Sequence, residues 1–99
     1  MFDACGSDTS TKAPAESFKN VHVDISNMQF QPAEISVKKG DTITWTNKDM
    51  VAHDVTEQPN STWTSGPLAT GKSWQMVARQ SGDYYCSIHV VMKGRIMVK

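Results

Sequence analysis

The chain has 99 residues, 38% hydrophobic and 20% charged, with ten basic and ten acidic side chains and a formal net charge of zero. That length suits one compact domain with a single core, and the balanced charge argues against nucleic acid or an anionic membrane surface as a partner. No apolar stretch reaches the roughly 20 residues a helix needs to cross a bilayer. Residues 1–18 are rich in Ser, Thr, Ala, Asp and Lys around Pro14 and show neither helical nor strand periodicity. They are expected to form a flexible tail, with regular structure beginning near Phe18.

From there the pattern is strand after strand. Asn20 to Ser26 alternates, placing Val21, Val23 and Ile25 on one face and His22 and Asp24 on the other. Ile35 and Val37 repeat the alternation after Pro32. Lys39-Gly40-Asp41 reads as a turn into the clearest strand, Asp41 to Asn47, where Ile43 and Trp45 face one way and Thr42, Thr44 and Thr46 the other. Pro59, Asn60, Ser61, Ser65, Gly66, Pro67 and Gly71 make the stretch from His53 to Lys72 mostly loop. Later strands are expected at Ser73 to Ala78, Asp83 to Ser87 and Gly94 to Val98. Short strands at this spacing, without an amphipathic helix, predict an all-β fold, an antiparallel two-sheet sandwich of about seven to eight strands. Trp45, Trp63 and Trp74 are the main core candidates, each worth about 4 to 6 kcal/mol of transfer free energy if fully buried.

Cys86, His89 and Met92 stand three residues apart between the last two strands, and His53 follows the Trp45 strand by a short turn. A thiolate, two imidazoles and a thioether form the ligand set of an electron-transfer copper site, with the thioether as weak axial donor. One loop between two strands can wrap a single ion, and His53 can approach the same end of the sandwich from a neighbouring strand. The plainer alternatives are a Cys5–Cys86 disulfide, a buried inert cysteine with unrelated histidines, and a cysteine nucleophile using His53 or His89 as its base. The last has no evident orienting third group, so no enzymatic activity is expected. His22 lies on a polar strand face and is left out of the site.

Several segments together resemble the cupredoxins, small blue copper proteins of the plastocyanin and amicyanin kind. They are Met28-Gln29-Phe30-Gln31-Pro32-Ala33-Glu34-Ile35-Ser36-Val37, Lys39 to Asn47, His53-Asp54-Val55, Ser65-Gly66-Pro67-Leu68, Gly71-Lys72-Ser73, Cys86-Ser87-Ile88-His89 and Met92-Lys93-Gly94. The resemblance implies a Greek-key sandwich over residues 19–99 holding one Cu(I)/Cu(II) ion. His53, Cys86 and His89 would be its equatorial ligands and Met92 the axial one, in a short loop similar to that of amicyanin. Asp54 and Ser87 would adjoin the ligands. The family commonly has asparagine where this chain has Asp54, a longer strand before the cysteine, and a proline where Val90 stands. A buried carboxylate beside a thiolate would tend to be protonated or paired, and, if charged, Asp54 should favour Cu(II) over Cu(I).

The same resemblance implies a monomeric electron shuttle between redox proteins such as a c-type cytochrome, an oxidase or a dehydrogenase. Its electron port would be the edge of His89, and Met50, Val51, Val90 and Val91 would form an apolar docking patch. A copper-binding or copper-delivery protein is the competing expectation, though a mixed thiolate site enclosed in a sandwich should resist exchange. Ala4-Cys5-Gly6-Ser7 resembles the processing site of bacterial lipoproteins. That suggests a lipid anchor at Cys5 and a periplasmic or other extracytoplasmic location.

Overall fold

The structure, a computed structural model, describes residues 18–99. The expected tail before Phe18, and with it the lipid anchor at Cys5, lies outside the described residues. Eight strands follow in chain order: β1 Asn20–Ser26, β2 Gln29–Gln31, β3 Glu34–Val37, β4 Thr42–Asn47, β5 Thr56–Gln58, β6 Ser73–Val77, β7 Gly82–Tyr85 and β8 Lys93–Val98. They form two four-stranded sheets, ordered β2-β1-β4-β6 and β3-β8-β7-β5.

The two-sheet sandwich is as expected, but its pairing is mixed rather than wholly antiparallel. The chain leaves the first sheet after β2, contributes β3 to the second, and returns with β4 running parallel to β1, Val23 opposite Trp45. For the same reason β8 lies parallel to β3, Ile35 opposite Ile96. The other pairs, including β4 with β6 and β7 with β8, are antiparallel.

Period-two alternation sends the apolar members of each strand inward. Val23, Ile25, Ile43 and Trp45 from one sheet meet Ile35, Val37, Tyr84 and Ile96 from the other, all buried. Tyr84 packs edge-on against both Phe30 and Trp45, with ring centroids 4.8 and 5.4 Å apart. Burial pushes the Tyr84 phenol up to about 12, opposed in smaller measure by the neighbouring Trp45 side chain, and neither the Tyr84 hydroxyl nor Trp45 Nε1, both buried, makes a hydrogen bond of good geometry. Trp63 and Trp74 are only partly buried. Trp74 sits on the edge strand β6 and Trp63 in the long loop, so both rings cover Trp45 rather than fill the centre.

Two glycines are required by this packing. Gly94 lies opposite Tyr84 in the β7–β8 register, and a Cβ there would stand 2.2 Å from Tyr84 Cζ. Gly40 has φ of +100° and meets the Phe18 ring, closing the turn before β4. Asp41 ties that turn together by accepting the backbone N–H groups of Lys19 and Lys38, each at 2.9 Å. Those bonds, that of Lys19 foremost, hold its carboxyl below the usual carboxylate range.

Two strands depart from the sequence expectation. β5 lies within the stretch expected to be loop, and β2 falls in the family-like segment from Met28 to Val37 but is marked by no alternation of its own. Both are sheet edges of three residues, and each sends one buried side chain inward, Thr56 and Phe30. Thr44, expected on the outer face, is buried in the central strand of its sheet and bonded to Asn20 Oδ1 at 2.8 Å.

Candidate metal centre

The parity of β7 sets the site. Tyr84 and Cys86 point inward, with the half-buried Tyr85 between them, so Cys86 leaves the strand end still facing the core. The segment from Gly82 is short, yet the inward direction of the cysteine is preserved. The following loop closes on itself: Cys86 N–H donates to Met92 O and Met92 N–H to His89 O, both at 3.0 Å. Cys86 and Met92 are thereby buried, while His89 is left partly exposed.

His53 reaches the same place from the other sheet. Its N–H donates to Leu68 O at 3.2 Å and its O accepts from Leu68 N–H at 2.7 Å, pinning it to the long loop. Buried Asn47, at the end of β4, donates to Val51 O and Leu68 O and accepts from Asp49 N–H, which shapes the turn into His53. The His53 ring is fully buried.

The side chains converge. His53 Nδ1 and His89 Nδ1 lie 3.8 and 4.0 Å from Cys86 Sγ, and one ligand atom from each of the three residues falls within 4.8 Å of the others. Metal–nitrogen and metal–sulfur bonds of about 2.0 and 2.3 Å, opened to about 120°, would separate sulfur from nitrogen by about 3.7 Å. The two sulfur–nitrogen spacings therefore suit a single ion. Its composition, two imidazoles and one thiolate with a methionine at the loop's end, suits copper.

Two of the donors, Cys86 and His53, are held from behind. Cys86 Sγ accepts the backbone N–H groups of Asp54 and His89, both at 3.4 Å. Asp49 Oδ2 accepts from His53 Nε2 at 2.8 Å. A carboxylate can only accept here, so the ring carries its proton on Nε2 and presents the Nδ1 lone pair to the site. The Met28 N–H first, then the His53 ring and the Asn27 N–H, hold the Asp49 carboxyl below its ordinary range against the opposing effect of burial. Buried Asp54 accepts from Ser87 N–H at 2.7 Å and Thr56 hydroxyl at 3.1 Å, and it also bonds the Ser87 hydroxyl.

All four residues singled out as ligands thus lie at one end of the sandwich, with Asp54 and Ser87 beside them. Met50, Val51, Val90 and Val91 are exposed at the turns flanking His53 and His89, Met50 at 92% and Val91 at 82%. Ile88, between Cys86 and His89, is exposed as well. Asp49 was missed: a carboxylate in a turn four residues before a histidine carries no distinguishing pattern, and its contact exists only in three dimensions.

Comparison with known proteins agrees with this geometry. A family model described as copper binding proteins, plastocyanin/azurin family, matches residues 18–99. The chain is 32% identical over 100 residues to amicyanin-alpha of Methylorubrum extorquens, covering 89% of this chain and 76% of that protein. It is 30% identical over 83 residues to amicyanin of Paracoccus denitrificans, covering 78% of this chain and 63% of that protein, so it spans just under two thirds of the latter's length. Among solved structures, the Cu(I) form of an amicyanin variant superposes with a TM-score of 0.75 at 26% identity, covering 81% of this chain and 82% of that one. A purple cupredoxin from Nitrosopumilus maritimus gives 0.73 at 26% identity, covering 80% of this chain and 99% of that one.

Proposed function

The chain belongs to the plastocyanin/azurin family of copper-binding proteins, and from that membership we propose that it carries single electrons on one copper ion held by His53, Cys86, His89 and Met92. The observation that carries this is the convergence of the two Nδ1 atoms on Cys86 Sγ at 3.8 and 4.0 Å. When bound, copper supplies a one-electron Cu(I)/Cu(II) couple.

The chain's own residues do the rest. His53 and the loop from Cys86 to Met92 come from distant parts of a rigid sandwich, so the donor positions need not change with oxidation state. The backbone N–H groups of Asp54 and His89 stabilise charge on the thiolate. His53 is sealed inside, whereas His89 is partly exposed and offers the short way out for an electron. Around it the exposed Met50, Val51, Ile88, Val90 and Val91 make an apolar rim for a redox protein such as a c-type cytochrome. Redox encounters use small interfaces that separate quickly, which this rim suits.

Copper delivery fits less well, because a cargo site needs exchangeable donors and both Cys86 and His53 are buried. Four protein donors around one ion leave no open position for a substrate, which favours a carrier over an enzyme. An extracytoplasmic setting, with a lipid anchor at Cys5, accords with the lipoprotein-like Ala4-Cys5-Gly6-Ser7 run. Voltammetry with a copper-release assay separates carrier from delivery protein. A reversible one-electron wave with copper retained against a chelator is expected; sluggish electron transfer with ready copper loss would overturn the carrier reading.

A further inference from the structure

Two carboxylates, four residues before and one after His53 in the chain, are each built into the fold by donors. On one side, Asp49 takes the N–H groups of Asn27 and Met28 at 2.7 and 2.9 Å together with His53 Nε2 at 2.8 Å. Asn27 and Met28 are both held at positive φ, 55° and 59°, so the β1–β2 turn presents two successive N–H groups to one carboxylate. On the other side, Asp54 is clasped reciprocally with the ligand loop. Its backbone N–H donates to Cys86 Sγ while its side chain accepts from Ser87 N–H, the Ser87 hydroxyl and the Thr56 hydroxyl.

Backbone N–H groups can only donate, so Asp49, which meets two of them, and Asp54 Oδ1, which meets that of Ser87, are acceptors there. Among the described residues neither is ion-paired with a lysine or arginine. We propose that Asp49 and Asp54 are positioning residues which fix the donors and, as two negative charges near the ligands, Asp49 against His53 and Asp54 against Ser87 next to Cys86, bias the centre toward Cu(II). It would thus work as a low-potential carrier that gives up its electron readily.

The electrostatic sense follows from charge counting. Cu(II) with a thiolate is a net +1 and Cu(I) with a thiolate is neutral, so nearby negative charge stabilises the oxidised form more. Asp49 adds to this by accepting the Nε2 proton, which makes Nδ1 a better donor. A neutral amide at either position removes the charge, and because it can turn either its oxygen or its NH2 to a neighbour, at position 49 it no longer obliges His53 Nε2 to carry the proton. This role rests on the copper site proposed above.

The test is spectroelectrochemistry of the copper-loaded parent, Asp54→Asn and Asp49→Asn, with ring nitrogen NMR of His53 in the metal-free forms. Each variant should keep the thiolate band and shift its Cu(II)/Cu(I) equilibrium about tenfold toward Cu(I), a rise of about 59 mV for one electron. In metal-free Asp49→Asn the single Nε2–H tautomer of His53 should give way to a mixture. A parent with an intact thiolate band and variants whose potentials are unmoved or lower would overturn this proposal alone. A parent lacking that band would overturn the copper site, and this proposal with it. Should Asp54→Asn fail to fold, the potential and tautomer of Asp49→Asn decide.

Discussion

His53 Nδ1 lies 3.8 Å from Cys86 Sγ, although 33 positions separate the two residues in the chain. One reaches the site from the turn after β4 and the other from the end of β7, strands of opposite sheets, so the contact is a property of the assembled sandwich. Replacing Cys86 with serine keeps the shape and removes the soft donor. Cys86→Ser should lose the thiolate-to-copper charge-transfer band, read by visible absorption. Met92→Leu should keep that band and raise the potential, because it removes only a weak donor that favours Cu(II).

The apolar rim is testable apart from the metal. Val91 is 82% exposed and adjoins Met92 without closing the loop itself. Val91→Glu should slow reduction by a redox partner several-fold in stopped-flow kinetics and leave the visible spectrum unchanged. Equal rates for both proteins would place docking elsewhere.

Gly94 is needed for what stands opposite it. A methyl group there would overlap the Tyr84 ring, with its Cβ 2.2 Å from Cζ, and Tyr84 is wedged between Phe30 and Trp45. Gly94→Ala should cost about 1–3 kcal/mol in denaturant unfolding, the usual range for an overfilled core. Gly82→Ala, with nothing within 4 Å of its Cβ, is the control and should change stability by less than about 0.5 kcal/mol.

Asp41 gives the acid limb of stability a definite sign. Its folded-state carboxyl is lowered, chiefly by the Lys19 N–H, while in the unfolded chain it titrates near ~3.9. The stabilisation is therefore fully present above that unfolded value and is lost as pH falls through the folded one. Asp41→Asn should lower the melting temperature at neutral pH, and the gap from the parent should shrink in acid. A gap constant down to pH ~2.5, well below the unfolded value, would show that the ionised form is not the one stabilised.

The strands that bury an alternating face were legible because period-two alternation is local: Val23 and Ile25, Ile43 and Trp45, Ile35 and Val37 each declare their own face. The candidate ligands were legible for a different reason, since cysteine, histidine and methionine in one short loop carry chemistry that few other arrangements explain. β5 was hidden because Thr56-Glu57-Gln58 is polar and gains its strand form from pairing with Tyr84 and Tyr85 on β7. The parallel pairing was hidden because it follows from where the chain crosses between sheets. Asp49 was hidden because its partners, Asn27, Met28 and His53, come together only on folding.

Titration of the purified protein with Cu(II), followed by visible absorption and electron paramagnetic resonance, tests the copper site most directly. An intense thiolate-to-copper band with narrow copper hyperfine splitting, saturating at one equivalent, is the predicted result. One relative of this fold is a purple cupredoxin, so the presence of the thiolate band, rather than its hue, is decisive. A weak, broad spectrum, or one unaltered in Cys86→Ser, would contradict the assignment of Cys86 as a ligand and the electron-carrying role built on it.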